Sequence, residues 1–210
     1  RTRENSLLIA FEGIDGTGKS TQIRLLAAWL QAQGKDVLVT REPTDSDYGR
    51  RIRELYLSRE QCSPEDELDL FIQDRKLHVK ELIKPALQAG RIVLTDRYYY
   101  STVAYQGANG LDVEDILRRN SFAPQPDLVI LLTMPPELSA ERIRSRGGQL
   151  NAFEQLDSLR RVAAIFASFS DPQIRRIDAS QPVNVVCEQI RCAWTDLSKR
   201  AATVSACSLS

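Results

Sequence analysis

Gly13-Ile14-Asp15-Gly16-Thr17-Gly18-Lys19-Ser20 fits the pattern G-x-x-x-x-G-K-[ST] without a mismatch. Such a loop binds phosphate. Its glycines let the backbone wrap an anion with the amides turned inward. A helix opening at the end of the loop adds partial positive charge. In this pattern Lys19 reaches the β and γ phosphates, and the hydroxyl of Ser20 ligates Mg²⁺. Asp15 is unusual here, because a carboxylate near phosphates is unfavourable unless it meets a metal or a hydroxyl. It could also be an acid that caps the helix start. Asp96-Arg97 is a second pair that could do chemistry. An arginine between phosphates offsets charge, and an acid beside it can hold Mg²⁺ through water. Read blandly, the pair only caps a strand end. Arg41 is a further candidate for phosphate contact.

These residues need a scaffold. Residues 7–11, 37–40, 92–95 and 128–132 are short apolar runs that read as buried strands, and 174–178 is a weaker fifth. Helical spacing follows the phosphate loop at 21–30 and recurs at 113–119, 136–146, 153–169 and 183–197. Gly34 is placed to stop the first helix. Ser63-Pro64-Glu65-Asp66 carries a helix start, with a serine cap, proline in the first turn and acids after it. That helix can run to Ala89, with Pro85 kinking or dividing it. Alternating strands and helices predict a parallel sheet covered on both faces. Ligands then bind beyond the carboxyl ends of the strands. Asp15, Arg41-Glu42-Pro43 and Asp96-Arg97 all follow strands, so they converge there.

The 210 residues fit one domain, expected over residues 7–199, with short tails at 1–6 and 200–210, the latter expected to be disordered. Lys plus Arg equal Asp plus Glu at 28 each, which argues against bulk binding to nucleic acid or an anionic membrane. No apolar stretch approaches the roughly 20 residues that span a bilayer. No signal peptide is visible at the start. Cys62, Cys187, Cys192 and Cys207 form no C-x-x-C pair and His78 is the sole histidine, which disfavours zinc. Free thiols suit a reducing cytoplasm. Cys187 and Cys192 are expected to be packed, and His78 to be structural.

Four further segments sharpen the reading. They are Thr40-Arg41-Glu42-Pro43; Leu70-Phe71-Ile72-Gln73-Asp74-Arg75; the run from Asp96-Arg97-Tyr98 to Ala104-Tyr105-Gln106-Gly107; and Ser145-Arg146-Gly147-Gly148 with Phe153-Glu154. With Phe11-Glu12 and the phosphate loop, this set closely resembles the thymidylate kinase family over roughly residues 6–199. The resemblance implies a P-loop NTPase fold: a three-layer α/β sandwich with a five-stranded parallel sheet, helices on both faces and a mobile lid. It implies Mg²⁺-dependent transfer of the ATP γ-phosphoryl group to dTMP, a step towards dTTP, and a homodimer. Lys19, Arg97 and Asp15 become catalytic. Residues 13–21, from Gly13 to Thr21, become the ATP cradle. Ser20 and Asp96 become the metal residues.

The resemblance also assigns a dTMP pocket of Asp15, Glu42, Pro43, Phe71, Arg75, Arg97, Ser101, Thr102, Tyr105, Gln106 and Glu154. Phe71 and Arg75 lie four apart on one helix face. Spacing alone puts Phe71 in the core and leaves Arg75 a solvated charge. The resemblance implies instead that Phe71 stacks on the base while Arg75 reads a base carbonyl. Asp15 would approach the sugar 3′-hydroxyl, and Tyr105 would crowd a 2′-hydroxyl. On bare sequence, Tyr98 to Tyr100 reads as strand end or core. Residues 142–154 form the lid. Family members without an arginine in the phosphate loop take one from the lid, and positions 16 and 17 here are Gly and Thr. Arg146 is assigned to catalysis and Arg142 and Arg144 to ATP, although the residues themselves do not decide among the three. Asn151 stands where many relatives have Asp.

Other kinases of nucleotides or nucleosides share much of this pattern. A GTPase-type switch would need an Asn-Lys-x-Asp segment, which is absent from the sequence. A catalytically silent nucleotide-binding protein would not need Lys19, Asp96 and Arg97 together.

Overall fold

In a computed structural model, residues 6–58, 62–145 and 152–207 are described. The apolar runs form five strands: β1 (Leu7–Glu12), β2 (Val37–Arg41), β3 (Ile92–Asp96), β4 (Leu128–Thr133) and β5 (Ile174–Asp178). All pair in parallel, in the order β2-β3-β1-β4-β5. This is the expected α/β sheet. β1 lies at its centre, with Ile9, Ala10 and Phe11 fully buried. The edge strands β2 and β5 alternate between buried and open positions, as one-sided strands do. The register aligns the strand ends: Asp96 lies opposite Phe11 on one side and Arg41 on the other. Three strands therefore end level, and the residues just after them project from one edge of the sheet.

The helices are α1 (Lys19–Gln31), α2 (Asp47–Ser58), α3 (Pro64–His78), α4 (Lys84–Gln88), α5 (Tyr99–Ala108), α6 (Val113–Arg119), α7 (Pro136–Ser145), α8 (Ala152–Ser168) and α9 (Val183–Cys207). α1 buries Ile23, Leu26, Ala27 and Leu30, the stripe its spacing predicts. Ser63 caps α3 by accepting from the Asp66 N–H at 3.1 Å. A π-helical turn, Val79–Ile83, divides α3 from α4. It precedes Pro85, which has no N–H for the Glu81 carbonyl. The Lys84 N–H reaches back to Val79, five residues away, and the wider turn absorbs the mismatch.

Two helices were not expected. α2 is strongly charged and starts without an apolar stripe long enough to read. α5 begins inside the tyrosine run, whose residues favour strands. α9 runs to Cys207, past residue 197 and into the expected tail. Cys187 is buried as expected, but Cys192 faces solvent. Five residues at about 100° each put the two on different faces of α9. No described helix is long and apolar enough to cross a membrane.

Candidate active site

The phosphate loop joins β1 to α1, as the motif requires. Gly13 has φ 132°, and a Cβ there would lie 2.3 Å from the Leu132 carbonyl oxygen. Only glycine lets the loop leave the sheet so close to β4. Gly18, at φ 87°, turns the chain into α1. The Thr17 hydroxyl donates to the Ile14 carbonyl at 2.9 Å and braces the loop. Lys19 is buried, and its ammonium donates to the Gly13 and Ile14 carbonyls at 3.1 Å each. Burial and the nearby Arg97 pull its pKa down to about 8, against Asp15, Asp96 and Glu12. An anion in the loop would restore the full charge.

The end of β3 faces this loop. Ser20 donates to Asp96 Oδ2 at 2.6 Å, which sets two hard oxygens side by side. Arg97 follows in the left-handed region, at φ 69°. Its Nη2 donates to Asp15 Oδ1 at 2.6 Å and to the Tyr105 hydroxyl at 3.3 Å. Its Nη1 donates to Ser101 Oγ at 2.8 Å and to the Gly13 carbonyl at 3.3 Å. Burial works against the charge of Arg97, but Tyr105, Asp15, Glu12 and Asp96 raise its pKa well above the ordinary value. The guanidinium stays charged at any working pH. Burial would raise the Asp15 carboxyl, but Arg97 and Lys19, with the Tyr105 hydroxyl at 2.9 Å, hold it below the usual range.

Two clefts meet at this point. One, of about 320 Å³, is lined by the phosphate loop, Arg41, Glu42, Asp96 and Arg97. The other, of about 310 Å³, is lined by Pro43, Tyr56, Phe71, Ser101, Thr102 and Tyr105. Asp15 and Arg97 belong to both walls. The first cleft is polar and the second is floored by aromatic rings. Phe71 is half-buried and turns into the second cleft rather than the core. The structure thus brings together Asp15, Pro43, Phe71, Arg97, Ser101, Thr102 and Tyr105.

Arg75 is placed differently. It is 1% exposed and lines neither cleft. Four of its five N–H donors are bound inside the protein: two to Glu42 Oε2 at 2.9 and 2.5 Å, one to Asn120 at 2.6 Å and one to Thr102 at 2.9 Å. It is neither a solvated charge nor a group on the cleft wall. Glu42 also meets His78 Nδ1 at 2.9 Å, and His78 Nε2 meets Thr40 at 2.7 Å, so His78 is structural as expected. Gln106 is fully buried, away from both cleft walls, and neither of its amide atoms has a hydrogen-bond partner among the described residues.

α7 rises beside the phosphate loop. Its Ser139 hydroxyl donates to the Asp15 carbonyl, and Arg142 donates to the Ala179 carbonyl at 3.1 Å. Arg144 is exposed at the end of α7. Arg146, Gly147, Gly148 and Asn151 lie outside the described residues, as does the side chain of Glu154 in the first turn of α8.

Sequence reasoning assigned no role to Glu12, Tyr56, Asp74 or Ser139. Asp74 accepts from the Thr44 backbone at 2.9 Å and from Ser46 at 2.6 Å, which pins the loop after Pro43. Its position beside Arg75 in the segment 70–75 was the available signal. Glu12 is fully buried, and burial pushes its carboxyl up to about 7, although Ser101, Arg97 and Lys19 pull the other way. A charged residue ending an apolar strand was its signal. Tyr56 and Ser139 left none.

A family profile described as thymidylate kinase matches residues 11–190. A protein named thymidylate kinase from Desulfotalea psychrophila is 52% identical over 195 residues, covering 92% of this chain and 96% of its own length. A probable thymidylate kinase from Archaeoglobus fulgidus is 46% identical over 186 residues, 88% of this chain and 93% of its own. A thymidylate kinase from Xanthomonas campestris is 47% identical over 183 residues, 87% of this chain and 80% of its own. With the phosphate loop, the level strand ends and the paired clefts in place, the chain belongs to the thymidylate kinase family.

Proposed function

We propose that this chain transfers the γ-phosphoryl group of ATP to dTMP, giving ADP and dTDP. One observation carries the reading: Asp15 and Arg97 lie in the walls of both clefts. ATP places its phosphates in the polar cleft, over the loop amides and Lys19. dTMP enters the aromatic cleft with its phosphate towards Arg97. Arg97 then touches both phosphates and gains most when charge spreads over the group in flight. Asp15 and Tyr105 sit where the dTMP sugar meets the donor phosphates. Thr102 accepts from Arg75 through a lone pair, which leaves its own proton to be offered to a base carbonyl. Arg75 acts on the base through Thr102 in this arrangement, with Glu42 fixing it from behind.

Mg²⁺ uses one or two protein oxygens and completes its shell with phosphates and water. Ser20 and Asp96 fit that demand and would hold it against ATP. When bound it neutralises charge on the β and γ phosphates. Arg142 and Arg144 are the candidates for ATP contact from α7, and with Arg146 they belong to the proposed lid at 142–154. Family membership also supports a homodimer, which analytical ultracentrifugation checks.

Coupled detection of ADP with dTMP, dUMP, UMP and AMP tests the function. dTMP should give the highest kcat/KM, and UMP should fall below dUMP because Tyr105 crowds its 2′-hydroxyl. Equal or better turnover of AMP would move the chain to another class of nucleotide kinase. Lys19→Ala should cut kcat on the order of a hundredfold or more, the usual loss when one preorganised charge is removed. Normal turnover in a folded variant would sink the phosphate-loop mechanism. Phe71→Ala should raise the KM for dTMP roughly tenfold, since base stacking is worth about 1–3 kcal/mol. ATP affinity and melting temperature should barely move. A loss of stability with unchanged dTMP affinity would return Phe71 to the core.

A further inference from the structure

Glu12 is the last residue of β1, and it lines neither cleft. It therefore touches no substrate. Both of its oxygens are nonetheless committed to the start of α5. Oε1 accepts from the Tyr98 N–H at 2.9 Å, and Oε2 accepts from the Ser101 hydroxyl. Tyr98 is the cap residue of α5 and offers no side-chain cap of its own. In a capping box the third helical residue, usually Glu or Gln, reaches back to the cap N–H. Here the third residue is Ser101, which is too short. Glu12 completes the box from another strand and binds both ends of it.

This bridge fixes Arg97. A non-glycine residue at φ 69° costs about 1–3 kcal/mol and persists only where its surroundings over-determine it. The Arg97 N–H bonds the Phe11 carbonyl at 2.9 Å. The Thr95 hydroxyl donates to the Arg97 carbonyl at 2.8 Å. The next N–H, that of Tyr98, is held by Glu12. Consecutive peptide groups are thus tied to consecutive residues of β1. The side chain is fixed by the same bridge. Ser101 has given its one proton to Glu12, so only lone pairs face Arg97 Nη1 at 2.8 Å.

We propose that Glu12 is a positioning residue for phosphoryl transfer, which holds the backbone and guanidinium of Arg97 in place through Tyr98 and Ser101. The inference rests on the reading of Arg97 as the group shared by both phosphates. A misplacement of about 1 Å costs roughly a hundredfold in rate. Glu12→Gln keeps the shape but sets an NH₂ group against the Tyr98 N–H or the Ser101 hydroxyl. It should lower kcat by about 10- to 100-fold, while the KM values for ATP and dTMP stay within about threefold. Ser101→Ala cuts the link to the guanidinium and removes one of the two donors from the Glu12 carboxylate, and it should lower kcat by about tenfold. The double variant should lose less than the product of the two single losses, because both act through one chain of bonds.

The full-length protein is assayed for kcat, both KM values and melting temperature. A Glu12→Gln protein with wild-type melting temperature and kcat within twofold overturns the inference. So do multiplying losses in the double variant. Should Glu12→Gln fail to fold, unchanged kcat in Ser101→Ala overturns it instead. Wild-type protein that cannot phosphorylate dTMP overturns the functional reading, and the inference with it; normal wild-type transfer confines any failure to Glu12.

Discussion

Arg97→Ala is expected to lower kcat about a thousandfold or more, the scale on which an arginine over a moving phosphoryl group acts. ATP affinity should change by less than tenfold. The split follows from geometry. The loop amides and Lys19 would hold the donor phosphates whether or not Arg97 is present, so ground-state binding should survive. Of the two residues in the walls of both clefts, Asp15 and Arg97, only Arg97 is a cation, and its charge would count most when the phosphoryl group lies between them. Arg97→Lys should recover little, because one ammonium cannot reproduce contacts to Asp15, Ser101, Tyr105 and the Gly13 carbonyl. Steady-state kinetics at saturating substrates, set beside ATP affinity by calorimetry, check this. Collapsed ATP affinity with an unchanged rate would make Arg97 a ground-state ligand only.

The second large effect is on stability. Arg75→Ala should destabilise the fold by about 3–5 kcal/mol, the range found when one partner of a buried ion pair is removed. At roughly 2–4 °C per kcal/mol for a chain of this size, melting falls by about 6–20 °C. Glu42 would be left almost fully buried without its ionic partner and short of both guanidinium donors. Adding Glu42→Gln should recover part of the loss, because the uncompensated charge causes most of it. Melting is measured without nucleotide, since binding to the folded state would mask the change. A loss below about 2 °C, or a further loss on adding Glu42→Gln, would show that the pair does not hold this region.

The same residue marks the limit of what the sequence could reveal. Local signals were legible. The phosphate loop is one contiguous pattern, and Asp96-Arg97 follows a clear apolar strand. The sheet, the capped start of α3 and the placement of Asp15 and Arg97 at strand ends could all be read. Arg75 could be assigned to base recognition by resemblance, but not paired with Glu42, which lies on a different element. Helical spacing relates neighbours on one helix and says nothing of partners across the sheet edge. Glu12 was hidden for a similar reason, since its partners follow a different strand. α5 was hidden by propensity: tyrosines favour strands, and only packing, such as the ring of Tyr100 against Phe169 at 5.0 Å, turns them into a helix.

The bond from Ser139 to the Asp15 carbonyl gives α7 a mechanical property. It pins the helix near its base to the phosphate loop and makes that contact a fulcrum. From Ser139 to Ser145 the arm is about 9 Å long at 1.5 Å per residue. A tilt of about 20° about this contact would swing the far end by about 3 Å and would have to release the second tie, from Arg142 to the Ala179 carbonyl. Arg142 and Arg144 ride on that arm. Any movement of these two arginines is thereby described by one angle about the loop contact.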